Sequence, residues 1–143
     1  MELISIIVPC YNEQEVLPMF YDEITKTMND MKVGNSQLDF ELLFINDGSK
    51  DTTWEEIVNA SANNKNIKGV CFSRNFGKEG AVFAGLEHAS GDCCVVMDCD
   101  LQHPPETLIS MYHLWEQGWE VIEGVKKSRG TESLLHKESA GFF

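Results

Sequence analysis

A chain of 143 residues with 43% apolar and 24% charged residues fits one globular domain with a core of its own. Its formal charge of −12 argues against a nucleic-acid surface, which needs clustered Lys and Arg to displace counterions from phosphates. No run of about 18 apolar residues occurs, and Met1 to Pro9 lacks the basic start of a secretory leader, so no membrane span or signal peptide is expected.

In chain order, apolar runs of strand length alternate with segments of helical period. LISIIVP (3–9) reads as a strand and EQEVLPMFYDEITKTM (13–28) as a helix, followed by the polar, Gly-containing connection MKVGNSQLD (31–39). FELLFIN (40–46) is the next strand and TTWEEIVNASA (52–62) the next helix, with Asp51 as its cap and Glu55 and Glu56 in the first turn. IKGVCFS (67–73) and EGAVFAGLEHA (79–89) repeat the pattern, and so do CCVVMD (93–98) and PETLISMYHLWEQ (105–117), with Pro105 placed to open the helix. WEVIEGV (119–125) is a fifth strand. Continuous apolar strands joined through helices predict an α/β fold with a mostly parallel sheet covered on both faces. TESLLHKESAGFF begins an amphipathic pattern and stops at Phe143 without a helix-ending Gly or polar tail, as expected of part of a longer protein.

Five cysteines, odd in number and without a CxxC, predict reduced thiols in a cytosolic setting rather than a disulfide framework. Cys93 and Cys94 are expected on opposite faces of one strand. The four histidines show no metal-ligand spacing and are read as surface or packing residues.

Ligands of open α/β sheets bind beyond the carboxyl ends of the strands, and polar residues gather at those ends here. Strand one runs into Pro9, Cys10, Tyr11, Asn12 and Glu13, strand two into Asn46, Asp47, Gly48, Ser49, Lys50 and Asp51, strand three into Arg74, Asn75, Gly77 and Lys78, and strand four into Asp98, Cys99 and Asp100. Asp98 and Asp100, at i and i+2, face one side of an extended backbone, and Gln102 follows in phase. That set of oxygens suits Mg2+ or Mn2+ completed by water and phosphates. Alone, such a couplet is better read as a solvated turn with Asp100 capping the next segment, and Cys99 reads as a small packing residue. Asp47-Gly48-Ser49 is either a strand-to-helix turn or a nucleoside acceptor. Lys78 or Arg74 and the free N–H groups of the helix that follows could meet a diphosphate. Gly80, Ala84 and Gly85 read as close helix packing.

Taken together, IIVPCYNEQEVL, INDGSKDTT, SRNFGKEGAVFAGLEHASGD and VVMDCDLQHPPE resemble the N-terminal half of a family-2 glycosyltransferase of GT-A fold. The similarity is to polyprenyl-phosphate glycosyltransferases such as bactoprenol glucosyltransferases and dolichyl-phosphate mannose synthases, and it covers nearly the whole chain in order. The resemblance implies that residues 1–143 are the nucleotide-sugar-binding part of such an enzyme, with acceptor and membrane segments beyond Phe143. It implies nucleotide binding by Pro9, Tyr11, Asn12, Glu13, Asp47, Ser49, Arg74, Lys78, Asp98 and Cys99, and Mg2+ or Mn2+ binding by Asp98, Asp100 and Gln102. Asp98, Asp100 and Arg129 are the implied catalytic residues. Lys126 stands where Arg is commoner, and Asn46 replaces the first Asp of the usual DDGS. The implied reaction is inverting, metal-assisted sugar transfer from a UDP-sugar, or a GDP-sugar, to a polyprenyl phosphate. For the full-length protein it implies the cytoplasmic face of the cell membrane, with this stretch itself soluble. Transfer to a hydroxyl of a polysaccharide or cell-wall glycan, and a non-catalytic nucleotide- or partner-binding domain, are the alternatives. A dehydrogenase lacks its GxGxxG here, and a nucleotidyltransferase its Gly-rich loop, because VPCYNE stands in that place.

Overall fold

Apolar runs rich in β-branched residues settle into strands, and the four that precede Asp98 join in one sheet. The computed structural model describes residues 2–100, 106–119, 121–126 and 133–138. β1 (Glu2–Cys10), β2 (Leu38–Asn46), β3 (Ile67–Cys71) and β4 (Cys93–Val96) lie in the order β3-β2-β1-β4, all parallel. Ile7 sits opposite Leu43 on one side and Val96 on the other. Each parallel step needs a crossover, which α1 (Leu17–Gly34), α2 (Thr53–Asn63) and α3 (Lys78–His88) supply.

Helices on both faces leave β2 no solvent side, so every one of its residues except Asp39 is buried. α1 and α2 cover the face that carries Phe44, whose ring meets Phe20 edge-on at 6.3 Å. α3 covers the other face, where Ala81 joins Ile7, Leu43 and Ile45. Gly85 lets α3 approach this closely: a Cβ there would lie 2.3 Å from Cγ2 of Ile7. Gly80, expected to do the same, is not required for it, since a Cβ there would meet only Phe76 Cβ at an ordinary contact distance of 3.5 Å.

Two boundaries differ from expectation. α1 begins at Leu17, with Pro18 in its first turn, and runs through Met31 to Gly34 into the expected connection. Leu17, Phe20, Ile24, Met28 and Met31 keep helical spacing and are all buried, so the apolar stripe carries the helix on. The expected fifth parallel strand is the second correction. β5 (Val121–Lys126) instead pairs antiparallel with β6 (Ser133–Glu138) in a separate two-stranded sheet. Six residues lie between them, too few for a parallel crossover and enough for a hairpin.

The chain divides into two compact units, Met1–Gln102 and His103–Phe143, and α4 (Thr107–Glu116) belongs to the second with β5 and β6. All five cysteines are free, Cys93 half-buried and Cys94 exposed. No helix among the described residues is long and apolar enough to cross a membrane.

Candidate functional site

Parallel strands place all their carboxyl ends on one edge, and the order β3-β2-β1-β4 puts the reversal of direction between β1 and β4. A cleft of about 390 Å³ opens there, lined by Pro9, Cys10, Tyr11 and Glu13 after β1, by Asp47 after β2, by Asn75, Gly77 and Lys78 before α3, and by Asp98 and Asp100 after β4. The ladder continues past the strand ends: Asp47 N donates to Cys10 O at 2.8 Å, and Met97 N to Ile7 O at 2.9 Å.

The loops after β1 and β2 are laced together. Asn12 takes a left-handed φ of 52°, donates its N–H to Ser49 Oγ (2.9 Å) and accepts at Oδ1 from Lys50 N (2.8 Å). Thr53 Oγ1 accepts from Glu13 N, and Gln14 Oε1 accepts from Thr52 N and Oγ1. Asp51 caps Thr53 N at 2.9 Å and takes Gln14 N on its other oxygen. Burial pushes the Asp51 carboxyl up, but the bonds from Thr53 and Gln14 outweigh it and hold it below the ordinary range. Asn12 and Ser49, expected at the nucleotide, do not line the cleft and instead tie the loops after β1 and β2 to each other.

Asp47 is 4% exposed, and its carboxylate is fully engaged. Oδ1 accepts from Phe76 N at 2.7 Å, while Oδ2 accepts from Gly77 N at 3.0 Å and Asn75 Nδ2 at 3.1 Å. The β3–α3 loop is therefore folded around this one side chain. Gly48 makes the approach feasible, since with φ 71° its absent Cβ would lie 2.3 Å from Arg74 C.

Beyond the fourth strand the chain turns at Cys99 and Asp100 rather than staying extended, and Cys99 is fully buried between two cleft-lining aspartates. Its thiol donates to Glu13 Oε2 at 2.7 Å. The adjacent Cys10 thiol and burial, together with Glu13, push the Cys99 thiol far up, so it stays protonated and presents no soft ligand to the cleft. Lys78 Nζ pairs with Asp98 Oδ1 at 2.7 Å. A hard divalent ion is commonly held by one or two carboxylates plus water and substrate phosphates. Asp98 and Asp100 fit that role as an open site; among the described residues no third His, Cys, Asp or Glu closes it.

The structure gathers Pro9, Tyr11, Glu13, Asp47, Lys78, Asp98 and Asp100 at the cleft. Arg74, an expected phosphate partner, is not among the cleft-lining residues and lays its guanidinium over the Phe76 ring at 4.7 Å. Cys99, expected at the nucleotide, is buried as a whole residue and does not line the cleft. Gln102 and Arg129 lie outside the described residues. Asn75 is a site residue that sequence reasoning underweighted; its signal was an amide between a strand end and a helix start.

The family description "Glycosyl transferase family 2" matches residues 5–140. The chain is 40% identical over 139 residues to an uncharacterised glycosyltransferase of Bacillus subtilis, covering 97% of this chain and 42% of that protein. It is 40% identical over 141 residues to the bactoprenol glucosyl transferase of Shigella phage SfV, covering 98% of this chain and 44% of that protein. The chain thus spans less than half the length of these relatives. A mannosyltransferase of Pyrobaculum calidifontis, solved with GDP-Man and Mn2+, superposes with a TM-score of 0.68 at 22% identity, covering 88% of this chain and 36% of that one. That likeness establishes the GT-A fold. With a cleft at the sheet's switch point and a family match along nearly its whole length, this chain belongs to glycosyltransferase family 2.

Proposed function

We propose that the chain is the nucleotide-sugar-binding part of an inverting glycosyltransferase that passes a sugar to a polyprenyl phosphate with the help of Mg2+ or Mn2+. The observation that carries the reading is the pair Asp98 and Asp100 opening onto one cleft with Cys99 buried between them. Among the described residues Glu13, Asp47, Asp98 and Asp100 line that cleft against one ammonium, Lys78, so an anionic diphosphate gains from added positive charge there. A divalent ion on Asp98 and Asp100 would supply it and stabilise charge on the departing diphosphate.

The chain's own residues do the rest. Tyr11, 43% exposed at the rim, offers a ring to the base, and Pro9 and Glu13 flank it. Asp47 holds the Asn75–Gly77 loop against the nucleoside, and Lys78 brings an ammonium toward the phosphates. Gln102 as a further metal ligand and Arg129 as a phosphate contact complete the reading by motif. A phosphate monoester nucleophile, largely dianionic at pH 7, needs no strong protein base. The printed name of the bactoprenol glucosyl transferase relative supports a glucosyl donor, read here as UDP-glucose, with a GDP-sugar as the second candidate. The full-length protein would then act at the cytoplasmic face of the cell membrane.

Calorimetry with UDP-glucose and with GDP-mannose, each with and without Mn2+, tests the site. Wild type should bind one donor only when Mn2+ is present, and Asp98→Ala or Asp100→Ala should abolish that binding. Undiminished binding in both variants would refute the metal-bridged site.

A further inference from the structure

We propose that Lys78 is a built-in cation that occupies Asp98 until a divalent ion displaces it, so that metal loading frees the ammonium for the diphosphate. The inference rests on the metal reading above and adds an ordered exchange to it. Lys78 Nζ lies 2.7 Å from Asp98 Oδ1, on one of the two carboxylates that would hold the ion.

The two ends of this contact differ in freedom. Lys78 is the first residue of α3, and the backbone just before it is pinned, with Phe76 N and Gly77 N both donating to the buried Asp47 carboxylate. The Lys78 side chain itself is 61% exposed, and the carboxylate it meets is 34% exposed. A pair that wet contributes little and is readily exchanged. An ammonium and a divalent ion on the same Oδ1 repel strongly, so an ion that takes this oxygen moves Lys78, whereas one confined to Oδ2 would leave the pair in place. The released side chain stays tethered to a fixed helix start on the same cleft wall, where a diphosphate is its natural new partner. Lys78 would thereby keep Asp98 from repelling Asp100 before loading.

The full chain can be titrated with Mn2+ in the absence of nucleotide, with free Mn2+ followed by electron paramagnetic resonance. Lys78→Met should bind Mn2+ about three- to tenfold more tightly than wild type, Lys78→Arg should stay near wild type, and Asp98→Asn should lose binding. In parallel, the Lys78 side-chain NMR signals of wild type should move on Mg2+ addition toward their positions in Asp98→Asn. Equal Mn2+ affinity in wild type and Lys78→Met, with binding lost in Asp98→Asn, overturns the exchange while leaving the metal site intact, and so does a Lys78 signal that ignores Mg2+. Loss of Mn2+ binding from every form, wild type included and with UDP present, overturns the metal reading and this inference together.

Discussion

Two lysine–carboxylate pairs sit at opposite edges of the same sheet, and they are built differently. Near the amino ends of the strands, Glu41 is 4% exposed in its side chain and saturated: Lys68 Nζ at 2.6 Å, Ser5 Oγ at 2.6 Å and Ser90 N at 2.9 Å all donate to it. Ser5 in turn accepts from Gly91 N at 2.8 Å. At the carboxyl ends, Asp98 meets Lys78 and remains one-third exposed beside Asp100. A closed network of donors around a buried carboxylate fixes structure, whereas a carboxylate left open to a cleft keeps capacity for something that arrives. Asp47 is the informative intermediate, since it stands in the cleft yet is satisfied as completely as Glu41.

The largest effect is expected at Asp47, where site and structure coincide. Asp47→Ala leaves the N–H groups of Phe76 and Gly77 without their acceptor, each a loss of about 1 to 3 kcal/mol before water repairs part of it, and leaves the Asn75 amide only the Asp47 backbone carbonyl at 3.2 Å. Denaturant unfolding should show a loss on the order of 3 kcal/mol, and nucleotide binding should vanish with the loop's shape. A variant that keeps wild-type stability would place Asp47 with Asp98 on the open side of the comparison.

Glu41→Ala should sharpen the contrast from the other edge. Lys68, 54% exposed, can return to water, so the cost is confined to the Ser5 and Ser90 donors and the lost pair, about 2 kcal/mol. Mn2+-dependent nucleotide binding should be unchanged, because none of these groups lines the cleft. A parallel loss of binding would mean that the two edges are coupled through β1 and β2.

The same division explains what could be read before any coordinates. The couplet at Asp98 and Asp100 was expected on one side because extended backbone alternates every two residues; the chain turns at Cys99 and Asp100, and both aspartates line the cleft through that turn, which no alternation rule describes. Gly85 was legible as a packing position because a residue without Cβ inside a helix implies a close neighbour, here Ile7. The partners of Asp47 were not legible, because they come from a loop 28 to 30 residues downstream, and no local pattern names them. The contact of Arg74 was not legible for a related reason: an aromatic face can hold a guanidinium, and Phe76 stands two residues away. The length of α1 was hidden by Gly34 and Asn35, which look like a loop although Met31 before them is buried.

The smallest effect is in acid. Burial pushes the Glu41 carboxyl up, and the Lys68 pair with the Ser5 and Ser90 donors more than offsets that, holding it below its ordinary 4.5. A carboxyl lowered by folding binds fewer protons folded than unfolded between those two values. Its contribution is therefore complete above pH 4.5 and is lost as the pH falls through the folded value. Asp39 and Asp51 shift the same way, so the acid limb of wild type alone mixes all three. The difference between wild type and Glu41→Gln isolates one. Urea unfolding from pH 7 downward should give a constant gap to about pH 5, then a narrowing one. A gap that stays constant to pH 3 would show that Glu41 gains nothing from Lys68 and its donors beyond what a neutral amide gains, and the contrast between the closed edge and the open one would then rest on shape rather than charge.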